Sequence, residues 1–188
     1  MIQETLITTI NPQGQTHIAP MGVHVEGDDY IILPFKPSTT LDNLLNTETA
    51  VINYCDDVRI FAGCLTGRRD WPLSPAETIK GYFLSASLAH SELRLQRVED
   101  DVLRPKLICR VVHSVNHRPF QGFNRAQYSV LEAAILISRL DMLPWDKIQS
   151  ELDYLRIGFE KTAGERERQA WAWLMAVIEQ HQQAKGLL

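Results

Sequence analysis

The chain has 188 residues, a formal net charge of −4, 45% hydrophobic and 22% charged residues. That length suits one large domain or two small ones, and the apolar fraction excludes a disordered or low-complexity chain. The mild acidity, with no basic stripe or tail to neutralise phosphates, argues against a nucleic-acid partner or an anionic membrane surface.

The first third reads as strands with turn punctuation. A strand is expected over 5–10, the turn signal Asn-Pro-Gln-Gly follows at 11–14, and a second strand over 16–25 pairs back as a hairpin. Gly27, Asp28 and Asp29 turn the chain into a third strand over 30–35. A short helix follows over 38–46, then a strand over 50–54 that Asp56 and Asp57 break, as a turn or a helix N-terminus. Residues 58–65 fit a strand or a helical turn, and 67–75 read as a loop in which Arg68, Arg69 and Asp70 form a solvated ion cluster. Strands are expected over 82–86, 93–98 and 107–115.

From about residue 123 the apolar period changes to 3.6. Asn124 and Gln127 resemble a capping box, Pro144 sits at a helix start, and Gly164 separates a third helix. The expected architecture is α+β: an antiparallel β-barrel or sandwich over 1–116, then a helical subdomain over 117–188.

Cys55, Cys64 and Cys109 show no CxxC spacing, so a reducing compartment fits better than a disulfide framework. The first fifteen residues lack a signal peptide's basic and apolar regions, and no apolar run approaches the ~20 residues of a membrane span. A soluble, cytoplasmic protein is expected. His113 and His117 share a strand face but have no third ligand nearby in sequence, so no metal site is expected. No GxSxG, HExxH, P-loop or GxGxxG motif occurs, and the catalytic residues stay unknown.

One constellation stands above these features. In PFKPSTTLDNLL (34–45), the hydroxyls of Ser38, Thr39 and Thr40, the free N–H groups of a helix's first turn and Lys36 make a monophosphate cradle. The plainer reading is helix capping, with Thr39 and Asp42 as a capping box. In HIAPMGV (17–23), Pro20 and Gly22 interrupt a strand in the way expected where a flat ligand approaches the backbone. A phosphate grip beside a flat shelf suits flavin mononucleotide (FMN).

These runs, with ETLITT, AVINYCDDVRIF and FNRAQYSVLEAAILISR, resemble the DUF447 family, flavoproteins of unknown function with the FMN-binding split-barrel fold. The resemblance implies an antiparallel split barrel with a C-terminal helical subdomain, non-covalent FMN, and a homodimer with the flavin near the subunit interface. It places Ser38, Thr39, Thr40 and Lys36 on the phosphate, and Asn43 on phosphate or ribityl oxygens. His17, Ala19, Pro20, Met21 and Gly22 would line the ring, with Asn53 and Tyr54 beside them. Asn124, Arg125 and Glu132 serve as cap and surface ion pair, or reach the flavin across the dimer. The implied activity is oxidation or reduction of a small organic substrate, with a non-catalytic flavin carrier, sensor or assembly protein as the alternative.

Overall fold

The computed structural model describes residues 1–186. The chain divides into two compact units, one holding residues 1–55 and 71–120, the other residues 56–70 and Gln121 onward.

The first unit contains, in chain order, β1 (Ile2–Ile10), β2 (Thr16–Glu26), β3 (Asp29–Ile32), α1 (Thr39–Thr47), β4 (Thr49–Tyr54), β5 (Leu73–Pro75), β6 (Tyr82–Leu84), β7 (Ala89–Glu99) and β8 (Lys106–Asn116). Six strands close an antiparallel barrel in the order β1-β2-β3-β8-β7-β4, with β4 pairing back onto β1. β5 and β6 form a separate two-stranded ribbon. The expected first hairpin forms because Asn11 Oδ1 accepts from the N–H groups of Gln13 and Gln15 at 3.0 and 2.9 Å, while Gly14 takes φ +84°. Alternation then sends Ile7, Val23, Ile52 and Leu93 into the barrel, where Leu41 and Leu44 of α1 join them.

The second unit contains α2 (Val58–Leu65), α3 (Arg125–Ile137), α4 (Trp145–Thr162) and α5 (Glu165–Lys185). Its core gathers the apolar stripes the sequence displays: Val130, Ala133 and Ile137, then Leu152, Leu155 and Phe159, then Ala170, Trp171 and Leu174. Phe159 and Trp171 stack at 4.5 Å. The 58–65 segment is helical, and its Val58 and Ala62 belong to this core. The barrel region is therefore interrupted at 56–70, which a boundary placed only near residue 116 does not capture. Asp57 starts α2 as a helix cap and binds Arg59 at 2.6 Å.

Several local readings need correction. Ser38, not Thr39, caps α1, its Oγ accepting from Leu41 N–H at 3.3 Å. Asn124 caps α3, but Gln127 reaches Glu167 instead of closing a box. The third strand ends at Ile32, because Leu33 O is taken by the Arg104 guanidinium and Lys36 N–H bonds Leu103 O. Part of the expected 67–75 loop pairs as β5, and β7 begins at Ala89 rather than residue 93. Arg68 lies over the Trp173 ring at 4.5 Å rather than in a solvated ion cluster. Among the described residues no helix is long and apolar enough to cross a membrane, and no group of three His, Cys, Asp or Glu could hold a metal.

Candidate functional site

The nine-residue helix α1 begins where the chain leaves β3. Its first N–H groups have no intrahelical acceptor. Ser38 Oγ satisfies that of Leu41, which leaves those of Thr39 and Thr40 at the positive end of the helix dipole. Thr39 is exposed and Thr40 is buried, so of these two hydroxyls Thr39 is the one open to a ligand. Lys36 is bound by Asp100 at 2.5 Å, and the Lys36 ammonium holds the Asp100 carboxyl below its usual range. The Arg104 guanidinium sits 4.6 Å over the Phe35 ring and donates to Leu33 O at 2.9 Å, which ties the approach to α1 down.

Asn43 is buried in α1, and its amide donates to Thr9 Oγ1 at 2.9 Å. Asn53 is wholly buried in β4. Its Nδ2 donates to Leu6 O and Thr8 Oγ1 at 3.0 and 3.2 Å. Its Oδ1 accepts from Leu84 N–H at 2.7 Å and Ser87 Oγ at 3.2 Å. Those bonds use both ends of the amide, so Asn53 fastens β6 and the turn after it onto the barrel wall. Tyr54 bonds Tyr30 and Ser91, and burial, followed by the Tyr30 bond, raises its pKa to about 12.

On β2 the register sorts the ring-lining candidates. His17, Ala19 and Met21 stand opposite Thr9, Ile7 and Thr5, so they share the face of the core residue Ile7. Pro20 and Gly22 stand opposite Leu6 and Glu4, on the other face. A flat ligand against one face meets the side chains of one subset only. The space Gly22 leaves is also bounded: a Cβ there would lie 3.0 Å from Ile2 Cγ2 and 3.3 Å from Glu4 Oε1. Both are side-chain atoms of β1, which borders the space beside Gly22. The cradle and β2 belong to one unit. Asn124 is engaged in capping α3, and Arg125 lines a groove of about 220 Å³ between α3 and α4 with Tyr128 and Tyr154.

Two polar residues that the sequence reading passed over are wholly buried here. Glu92 accepts from Glu77, Thr78 and Ile79 N–H at 2.6, 2.8 and 3.0 Å, and from Thr78 Oγ1 at 2.6 Å. His90 lies 3.4 Å from Glu92 Oε1 and 2.8 Å from His117 Nε2. Burial would raise the Glu92 pKa, but the Thr78 hydroxyl and the Glu77 and Thr78 N–H groups outweigh it and hold it at about 2. Glu92 next to Leu93 and Leu95 was the signal: a charge at the head of an apolar alternation.

Family models for the N-terminal and C-terminal domains of DUF447, a protein of unknown function, match residues 3–118 and 124–176. No curated protein matches the chain. The fold is similar to the FMN-bound protein MM1853 from Methanosarcina mazei, with TM-score 0.79, 17% identity and 94% of each chain covered. It is also similar to flavoredoxin from Methanosarcina acetivorans, with TM-score 0.54, 13% identity and 62% of this chain and 69% of that one covered. A third likeness is to the 2-nitrobenzoate 2-nitroreductase NbaA of Pseudomonas fluorescens, with TM-score 0.52, 21% identity and 60% and 64% coverage. The barrel is a split barrel of the kind these proteins share.

Proposed function

Since this chain belongs to the DUF447 family, whose two domains it carries in order, we propose that it is an FMN-binding flavoprotein that serves oxidation or reduction of a small organic substrate. The observation that carries the reading is the start of α1, where unbonded N–H groups, the exposed Thr39 hydroxyl and the dipole's positive end converge on one exposed turn. That set suits a dianionic phosphate monoester and needs no basic surface. The likeness of the fold to an FMN-bound protein supports the same ligand.

In this reading Thr39 and the N–H groups of Thr39 and Thr40 hold the phosphate. Lys36 adds charge only to the extent that phosphate competes with Asp100 for it. Ser38 shapes the turn through its cap, and Asn43 braces α1 against β1 through Thr9. On β2, Ala19 and Met21 or the backbone beside Pro20 border the ring. Asn53 is left out of the ligand set. Bound FMN would supply the electron-pair chemistry, and the protein its orientation and surroundings. The homodimer with flavin near the subunit interface is part of the proposal, and sedimentation should return twice the 21.4 kDa chain mass.

Titration of FMN into wild type and Thr39→Ala tests the cradle. The substitution removes a charge-assisted hydrogen bond worth about 1.5–3 kcal/mol, so affinity should fall by about tenfold or more. Unchanged affinity would move the phosphate site away from α1. Anaerobic NADH or NADPH then separates a redox enzyme from a carrier. Bleaching of the flavin band followed by reoxidation with an added acceptor supports turnover, and a band that no donor changes supports the carrier.

A further inference from the structure

Outside the cradle, the outer face of the barrel wall carries a chain of ionisable groups that runs from beneath residues 77–84 to the surface. Glu92 and His90 are both 0% exposed, and His117, one residue past β8, is exposed. The rings of His90 and His117 lie within 14° of one plane, joined Nδ1 to Nε2 at 2.8 Å. Phe83 covers both, with centroids 4.2 and 4.8 Å away and interplanar angles of 6° and 9°. His117 is fixed from the backbone too, since its N–H bonds Leu88 O at 2.7 Å.

Charge dictates where the protons sit. Four donors from residues 77–79 keep the Glu92 carboxylate ionised, so it can only accept. His90 Nε2 must then carry its hydrogen toward Glu92, which leaves Nδ1 as an acceptor. His117 Nε2 must in turn donate to that Nδ1. The remaining lone pair of the array is His117 Nδ1, on the exposed ring.

We propose that Glu92, His90 and His117 form a proton relay whose outer end, Nδ1 of His117, takes up and releases protons at the surface. A proton taken up at His117 Nδ1 is matched by transfer of the Nε2 hydrogen to His90. Burial works against a cation on His90 and the Glu92 carboxylate works for it, so the positive charge is shared between the two rings. One positive charge is balanced in this way, and a second is not. Facing the relay, His113 from β8 has its Nε2 3.3 Å from Glu77 Oε2 without a hydrogen bond and its ring 6.3 Å from His90, and the Arg118 guanidinium donates to Ala86 O. This inference does not depend on the flavin reading.

Nitrogen-15 NMR of imidazole-labelled wild-type protein tests it before any substitution is made. At pH 8, His90 and His117 should both carry hydrogen on Nε2. On acidification the pair should bind one proton, shared between the rings, well before a second. Glu92→Gln should weaken that first uptake at least tenfold, displacing it by one pH unit or more toward acid. His117→Gln keeps a donor to His90 but no outer base, so His90 should titrate alone and at lower pH than the wild-type pair. A His90 that carries its hydrogen on Nδ1 overturns the relay without reference to any variant. Two independent titrations of the rings, or an uptake that Glu92→Gln leaves in place, overturn it as well.

Discussion

From β4 the Asn53 side chain bonds five partners, Leu6 O, Thr8 Oγ1, Val51 O, Leu84 N–H and Ser87 Oγ, and so joins β1 to β6. Asn53→Ala strands a buried N–H and should destabilise the protein by about 2–4 kcal/mol, read from urea unfolding. FMN affinity should change far less than stability. Glu92 makes a second prediction of the same kind. Its folded pKa of about 2 lies below the ordinary glutamate value of 4.5, so its contribution is complete above pH ~4.5 and is lost as pH falls toward 2. The depression amounts to roughly 3 kcal/mol, and Glu92→Gln should remove this component of the acid-unfolding curve. At this scale the sequence was an uneven guide. Asp57 and Asn124 are legible because a capping residue acts within three positions of itself, whereas among the three hydroxyls at 38–40 the cap of α1 was placed one residue late. Asn53 and Glu92 are not, because their partners lie about 13 to 47 residues away.

Elements were more readable than residues where a period repeats. The α3, α4 and α5 stripes and the first hairpin follow from 3.6-residue and two-residue alternation. β7 was read short because His90, Ser91 and Glu92 are polar yet buried, which breaks the alternation that marks a half-buried strand. Local composition could not decide the 58–65 segment, since its eight residues are buried at Val58, Ile60, Phe61 and Ala62 alike. β2 illustrates a subtler limit. Its Pro20 and Gly22 do interrupt a regular strand, but alternation puts them on the face opposite Ala19 and Met21. Gly22→Ala should cost less than about 1 kcal/mol, because the contacts it meets are the side chains of Ile2 and Glu4, both partly open to solvent. A thermal melt checks this, and a larger loss would mean that β1 cannot move aside.

For the molecule as a whole, the chain builds two cores, and the second is assembled from segments far apart in sequence. Ala62 of α2 and Trp171 of α5 share it, so the helical unit closes only after the chain has left β8. Trp171→Ala removes the ring stacked on Phe159 and should cost about 3–5 kcal/mol, seen as a lowered unfolding midpoint. The sequence displayed both cores but not the crossing of 56–70 into the second, because a long-range partner leaves no mark on a short apolar run. The net charge of −4 fits a protein whose expected anion is a single phosphate held by a helix end. The most direct measurement is a calorimetric titration of the purified protein with FMN and, separately, with riboflavin, which lacks the phosphate. FMN should bind one per chain and at least tenfold more tightly than riboflavin, with the difference shrinking in Thr39→Ala. A protein that takes up neither flavin, or binds both equally, contradicts the account.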